Sequence, residues 1–221
     1  MTGWVPDIER LLEEMTITEK IGQMTQVSNE SISPAQVADH FIGSVLSGGN
    51  GTPTPNTPTA WGDMVGSFVG AATDTRLAIP LLYGVDAVHG HSLVGGATVF
   101  PHNIGLGSAG DEDLAARIGS ATATEMLATG IRWTFAPTVA VPQDIRWGRT
   151  YEGFGRDPAL AAALGAALVR GLHGPDRARP QVLACAKHFV GDGATSWGTA
   201  PRLDFVDWWD GWGDGWQIDQ G

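Results

Sequence analysis

The sequence is short of several features that would narrow a function at once. Cysteine occurs once, as Cys185 in the apolar run VLACA. No disulfide framework follows, and the redox compartment stays open. A lone cysteine in such a run reads as a buried, inert thiol. Basic residues are scarce: 13 Lys and Arg stand against 24 Asp and Glu, for a formal charge of −11. That balance excludes a non-specific nucleic-acid binder and disfavours an anionic membrane surface. It says little about a neutral ligand. No window holds the roughly eighteen apolar residues of a membrane span. The N-terminus, MTGWVPDIERLLEEMT, has neither the basic start nor the apolar core of an export signal, so the chain as written is expected in the cytoplasm.

Signatures of cofactor chemistry are equally thin. His89 and His91 form an HGH pair, but no HExxH or cysteine set accompanies them. Histidines satisfied by backbone groups are the expectation, and no metal or cofactor is expected. Gly105 and Gly107 in NIGLGSAGDED lack the full GxGxxG pattern and a Walker lysine, which argues against a nucleotide loop. Ser108 and Ser196 lie in no GxSxG elbow.

Glycine and hydrophobic residues are abundant. The 221 residues include 31 Gly and 13 Pro, and 43% are hydrophobic. That is enough apolar material for one sizeable core. Ile8, Leu11, Leu12 and Met15 recur at helical spacing, and Thr18 reads as the cap of a second short helix. Ser33-Pro34 opens a third helix. IGSVLSGG reads as a short buried strand. Residues 49–60 read as a Gly/Pro/Thr loop, and WGDMVGSFVGAATD returns to helix.

One rhythm then repeats. IPLLYGVDAVHG is an apolar strand, DEDLAARIGSATATEMLATG a helix with acidic residues in its first turn, and IRWTFAPTVAV a strand. DPALAAALGAALVRGLHG is a helix stopped by glycine, and QVLACAKHFVG is a strand again. Strands separated by helices of a dozen or more residues signal parallel βα units. Their unbroken apolar runs signal burial on both faces. About four such strands precede residue 191. Polar residues gather at the strand ends: Asp86 and His89, then Asp144 and Arg149, then Lys187, His188 and Asp192. In parallel α/β folds, ligands bind outside the carboxyl ends of the strands. Lysine and histidine there can donate hydrogen bonds to hydroxyl groups, and neighbouring acidic residues would fix their orientation. Asp86, Asp144, Asp192 and Asp219 compete for carboxylate roles, and spacing selects no pair among them.

Several long motifs, in order, resemble one family. TITEKIGQMTQ, LLYGVDAVHGH, TVFPHNIGLGSAGD, ATGIRWTFAPTVAVPQDIRWGRTYEGFGRDP and ACAKHFVGDGATSWG look like glycoside hydrolase family 3, nearest its β-glucosidase and β-glucan exohydrolase branch. The likeness runs from about Ile8 to about Trp197. It implies an α/β fold: a partial (β/α)8 TIM-like barrel of about four βα units, with the second half of the barrel and an α/β sandwich domain absent. It also implies retaining hydrolysis of terminal non-reducing β-D-glucosyl residues. By that likeness Asp86, Arg149, Lys187 and His188 hold glucose hydroxyls.

The family's nucleophile, an aspartate in a GFVxSDW motif, and its acid/base glutamate would both lie beyond Gly221. No catalytic carboxylate is therefore expected in this chain, and little or no turnover by it alone. Asp207 in DFVDWW looks superficially similar to the nucleophile, but no βα unit separates it from Lys187, and it reads as part of an insertion. Ile145-Arg146 replaces a Pro-Arg common in the family. Residues 198–221 are a Trp/Asp-rich loop carrying Trp208, Trp209, Trp212 and Trp216. Indole faces stack on apolar sugar faces, so these four are an aromatic subsite candidate; packing against missing barrel elements is the alternative. β-Glucosides or β-gluco-oligosaccharides are the implied ligands, with no nucleic-acid or membrane partner. Two alternatives to an enzyme fragment stand: a non-catalytic carbohydrate-binding or structural remnant, and a half-barrel that self-associates or needs a complementary chain through its open sheet edges. A full-length relative would be periplasmic or secreted.

Overall fold

The computed structural model describes residues 8–176, 178–189, 191–196 and 217–218. The chain divides into two compact units. The first contains residues up to Asp86 together with 93–96 and 128–133. Its elements are helix α1 (Ile8–Glu14), helix α2 (Ile17–Gln23), strand β1 (Gln26–Ser28), helix α3 (Pro34–Asp39), strand β2 (Ser44–Ser47), helix α4 (Pro58–Thr73) and strand β3 (Leu82–Val85).

Three of these helices start for a clear local reason. Thr16 caps α2: its side chain accepts from the Glu19 amide while Glu19 returns a carboxylate to the Thr16 N–H. Ser33 and Gln36 build the same reciprocal box at α3, with Pro34 just inside. Thr57 caps α4, with Pro58 at its first position. Strands β1, β2 and β3 form a parallel ladder in which Val27 pairs with Val45 and Val45 with Tyr83. Strand β4 (Trp133–Thr134) follows β3 in the sheet order β1-β2-β3-β4. Val37, Val45, Trp61, Val65, Phe68, Tyr83 and Val85 are buried in this unit.

The second unit holds helix α5 (Asn103–Ala109), helix α6 (Glu112–Ala128), a 3-10 turn (Thr150–Glu152) and helix α7 (Pro158–His173). Two short antiparallel strands follow, β5 (Thr195–Ser196) and β6 (Gln217–Ile218). The core gathers Leu106, Ile118, Phe154, Leu164 and Leu168. α6 and α7 approach backbone to backbone: a Cβ on Gly171 would sit 2.1 Å from the Ala116 carbonyl oxygen, and one on Gly119 2.5 Å from that of Leu168. Residues 134–141 and 183–193 run side by side. Thr134 N–H donates to Leu183, Cys185 N–H to Ala136, Lys187 N–H to Pro137 and Val139 N–H to Lys187. These βα units form part of a (β/α)8 barrel.

The structure corrects several expectations. Thr16, not Thr18, caps α2, because only Thr16 has a glutamate three residues on. α4 begins at Pro58, so the Gly/Pro/Thr loop ends at its cap, Thr57, rather than at residue 60. β1 is a strand the pattern did not reveal; QVS is too short and polar to show a period. NIGLGSA is a helix, and a Cβ on Gly107 would collide with the Phe154 carbonyl oxygen, so that glycine serves packing. The runs read as strands at IRWTFAPTVAV and QVLACAKHFVG are regular only at β4. Elsewhere they keep spaced ladder bonds, among them a parallel bridge between Thr138 and Lys187. Pro137 has no N–H to give a continuous ladder. Cys185 is half-buried rather than buried.

Candidate functional site

The second unit gathers three of the four residues read as ligands of a sugar. Arg149 lies just past the 134–141 segment, at the head of the 3-10 turn. The turn before it is pinned by Asp144. Its carboxylate accepts from the Arg146 backbone N–H at 2.9 Å and from the Arg146 Nε at 3.0 Å. The side-chain bond to Arg146 and the backbone N–H hold the Asp144 pKa down at about 2. Asp144 is thereby committed to local structure. Thr150 closes the turn by donating to the Trp147 carbonyl at 2.7 Å.

Arg149 itself is gripped by Glu152. Nε donates to Oε1 at 2.6 Å and Nη2 to Oε2 at 2.5 Å. The two side chains are 13% and 14% exposed, so the pair is largely out of water. Burial opposes the guanidinium charge, but the Glu152 bond and the charges of Glu152, Asp192 and Tyr151 outweigh it and raise the pKa above the usual arginine value. Asn103 ties the turn to the strand beside it: its Nδ2 donates to the carbonyls of Glu152 at 2.8 Å and Thr138 at 3.0 Å.

Lys187 and His188 end the neighbouring segment, joined by a cis peptide bond. Both are half-buried. His188 Nδ1 and Asp192 Oδ2 stand 2.7 Å apart, so the imidazole is orientated by a carboxylate, as the sequence reading expected of its acidic neighbours. The return of the chain through Gly191 and Gly193, both at positive φ, brings Asp192 back to the ring. A Cβ on Gly193 would lie 2.9 Å from the Pro142 nitrogen, so only glycine fits there.

Asp86 belongs to the first unit, where it is half-buried immediately after β3. Trp208, Trp209, Trp212 and Trp216 lie outside the described residues, as does Asp219. The HGH histidines part company. His89 Nδ1 is 3.0 Å from the Phe100 carbonyl oxygen, and its ring stacks on His102 with centroids 4.1 Å apart. His91 is fully buried, and burial, opposed by Glu125, lowers its pKa to about 4. Among the described residues no group of three or more His, Cys, Asp or Glu side chains converges as a metal site. No described helix is long and apolar enough to cross a membrane.

Glu152 and Asn103 are the site residues that sequence reasoning missed. Glu152 stands three residues after Arg149, the spacing of one helical turn, which was the available signal. Asn103 had none, because its partners are 35 and 49 residues away.

Comparison with known proteins places this geometry in a lineage. The model for the glycosyl hydrolase family 3 N terminal domain matches residues 16–202. A lysosomal beta glucosidase of Dictyostelium discoideum is 35% identical over 208 residues, covering 83% of this chain and 25% of the relative. A periplasmic beta-glucosidase of Salmonella typhimurium is 34% identical, covering 85% of this chain and 23% of the relative. Among solved structures, the exo-1,3/1,4-beta-glucanase ExoP of a Pseudoalteromonas species is 47% identical with a TM-score of 0.80, covering 86% of this chain and 25% of that one. The chain thus spans about a quarter of the length of each of these relatives.

Proposed function

Because the chain belongs to glycosyl hydrolase family 3, we propose that it supplies the glucose-holding part of a β-glucoside hydrolase site. Arg149, Lys187 and His188 act as ligands of the sugar hydroxyls; for Asp86, in the first unit, that role rests on the family resemblance alone. The observation that carries this reading is the pairing of two such ligands with carboxylates, Arg149 with Glu152 and His188 with Asp192, beyond two laddered segments of one unit. Each donor is held in a fixed direction before a ligand arrives. Binding then costs less side-chain entropy.

The chemistry of the whole enzyme is retaining hydrolysis of a terminal β-D-glucosyl residue. A carboxylate attacks the anomeric carbon while a carboxylic acid protonates the departing oxygen, and water later releases glucose. The residues proposed here hold the ring during that displacement, and their bonds gain most when the sugar flattens toward the transition state. The described carboxylates Asp144, Glu152 and Asp192 are engaged by Arg146, Arg149 and His188, so none of them is assigned the attack. Binding without turnover is the expected behaviour of these 221 residues.

A titration with methyl β-D-glucoside tests this. Saturable perturbation of the Lys187 and His188 NMR signals, with no release of product from an aryl β-glucoside, is expected. Turnover at constant specific activity through stringent purification would remove the non-catalytic part of the reading.

A second reading, a half-barrel completed by a complementary segment, is favoured by one groove. A space of about 810 Å³ lies beside α7, lined by Val139, Val141, Ala162, Gly165, Ala166 and Val169. The right-handed crossover of a further βα unit would lay an apolar helix there. Co-expression with the remainder of the Pseudoalteromonas glucanase should then yield a complex of one copy each. Failure to co-purify counts against completion in trans.

A further inference from the structure

We propose that Asn103 is a positioning residue of the sugar site: its side-chain amide fixes the 3-10 turn headed by Arg149 against the segment that carries Lys187. This role rests on the sugar-site reading above and goes beyond it by naming what sets the spacing of two of the ligands.

The amide is committed on its donor side. Nδ2 donates to the Glu152 carbonyl at 2.8 Å and to the Thr138 carbonyl at 3.0 Å. Two carbonyls can be met only by the NH2 group with its two hydrogens, so the amide has one orientation. Asn103 is 3% exposed, and a hydrogen bond shielded from water in this way is the stronger for it.

The two carbonyls belong to the two segments that the site needs. Glu152 ends the turn that Arg149 heads, and its N–H donates to the Arg149 carbonyl at 3.0 Å. Thr138 is bracketed by Lys187. The Lys187 N–H donates to the Pro137 carbonyl at 3.0 Å, and the Val139 N–H to the Lys187 carbonyl at 2.9 Å. Across a planar trans peptide the carbonyl points opposite to the N–H. The Thr138 carbonyl, opposed to the Val139 N–H, therefore points away from Lys187 and toward Asn103. One amide thus joins the backbone beneath Arg149 to the backbone beside Lys187.

Helix α5 delivers that amide. Asn103 is its first residue, and Gly107 stands four residues on, on the same face. A Cβ on Gly107 would collide with the Phe154 carbonyl oxygen, so the helix lies directly on the chain leaving the turn. That approach brings a short side chain within reach of both carbonyls.

The residue is a poor choice for filling space alone. Asn103 Oδ1 and Thr138 Oγ1 are buried with no hydrogen-bond partner among the described residues. An unmet buried acceptor is destabilising, and an apolar side chain would avoid that cost. What asparagine supplies is the two donors.

The test uses the full chain, labelled with 15N, and methyl β-D-glucoside as the probe. In the wild type the Asn103 NH2 signal should exchange slowly and the glucoside should bind. Asn103→Asp keeps the volume and removes both donors. Its glucoside affinity should fall about tenfold. The protection of the Glu152, Gly153 and Lys187 amides, taken relative to the intrinsic exchange rate, should fall with it. Gly171→Ala strains the same unit away from this tie, where its Cβ meets the Ala116 carbonyl. It should keep affinity within about twofold and keep those three amides protected. A merely structural amide would make the two variants alike.

An Asn103→Asp variant with wild-type affinity overturns the positioning role, and so does an equal loss of affinity in Gly171→Ala. Should Asn103→Asp fail to fold, Asn103→Ser decides. Its single hydroxyl can meet one carbonyl at most, and wild-type affinity there overturns the role as well. If the wild type does not bind the glucoside, the sugar-site reading fails. The slow NH2 signal and the three protected amides need no ligand, and they still confirm or overturn the tie between the two segments.

Discussion

The two units each contain a forked Arg–Glu pair, and the two pairs do different work. In the first unit Arg76 reaches Glu19 at 2.7 and 3.2 Å. Glu19 also accepts from the Thr16 N–H and hydroxyl, and Arg76 from its far side donates to the Glu14 carbonyl. Every partner is a helix end, so this pair fastens α1, α2 and the residues after α4. The arginine is 54% exposed and screened by water. In the second unit the Arg149–Glu152 pair is four times less exposed on the arginine side, and it brackets one 3-10 turn instead of joining separate helices. An identical functional-group pair is structural where its remaining bonds go to backbone. Past the end of a ladder, the same pair is the one proposed above to hold a sugar.

Substitutions can break this contrast. The largest expected effect is on binding: Arg149→Met should lower glucoside affinity by about tenfold or more, whereas Arg76→Met should leave it within about twofold. Equal losses in a calorimetric titration would erase the distinction. Next in size is packing of the second unit. Gly171→Ala, which drives a Cβ into the Ala116 carbonyl, should cost about 1–3 kcal/mol in a denaturant titration. Thr16→Ala removes the cap of α2 and should cost about 1 kcal/mol in the first unit, with binding unchanged.

Acid should separate the units by sequence of events. Burial keeps His91, in the second unit, at a pKa of about 4 against 6.5 in a free chain, so the unfolded chain takes up the proton more readily. Its contribution is full above pH 6.5 and is lost as pH falls from 6.5 toward 4. Bonds to Arg76 and Thr16 hold Glu19, in the first unit, at about 2 against 4.5. Its contribution is full above pH 4.5 and is lost between 4.5 and 2. Amide protection near His91, taken relative to the intrinsic exchange rate at each pH, should therefore fall between pH 6.5 and 4.5, while protection in α2 is kept. Simultaneous onset in both units would contradict this order.

Much of the fold was legible because helix signals are local. The Ser33-Pro34 start of α3 and the glycine after α7 are short-range chemistry and were read in place, while the Pro58 start of α4 was taken for loop. Displacing the first cap to Thr18 was an error of two residues, not of element. The strands were harder. β1 is too short for a period, and 134–141 and 183–187 look like strands in composition but make only spaced ladder bonds.

The sequence by itself determined the family, the alternation of apolar runs with helices, and the places of Arg149, Lys187 and His188 after or at the end of those runs. Those depend on residue type and on spacing along the chain. Only the tertiary structure decided what each charged group faces. Arg76 meets Glu19 across 57 residues of chain. Asn103 joins backbone segments 35 and 49 residues away. The physical reason is that a carboxylate's role is set by the donors within about 3 Å of it, and folding, not spacing, brings the distant ones there.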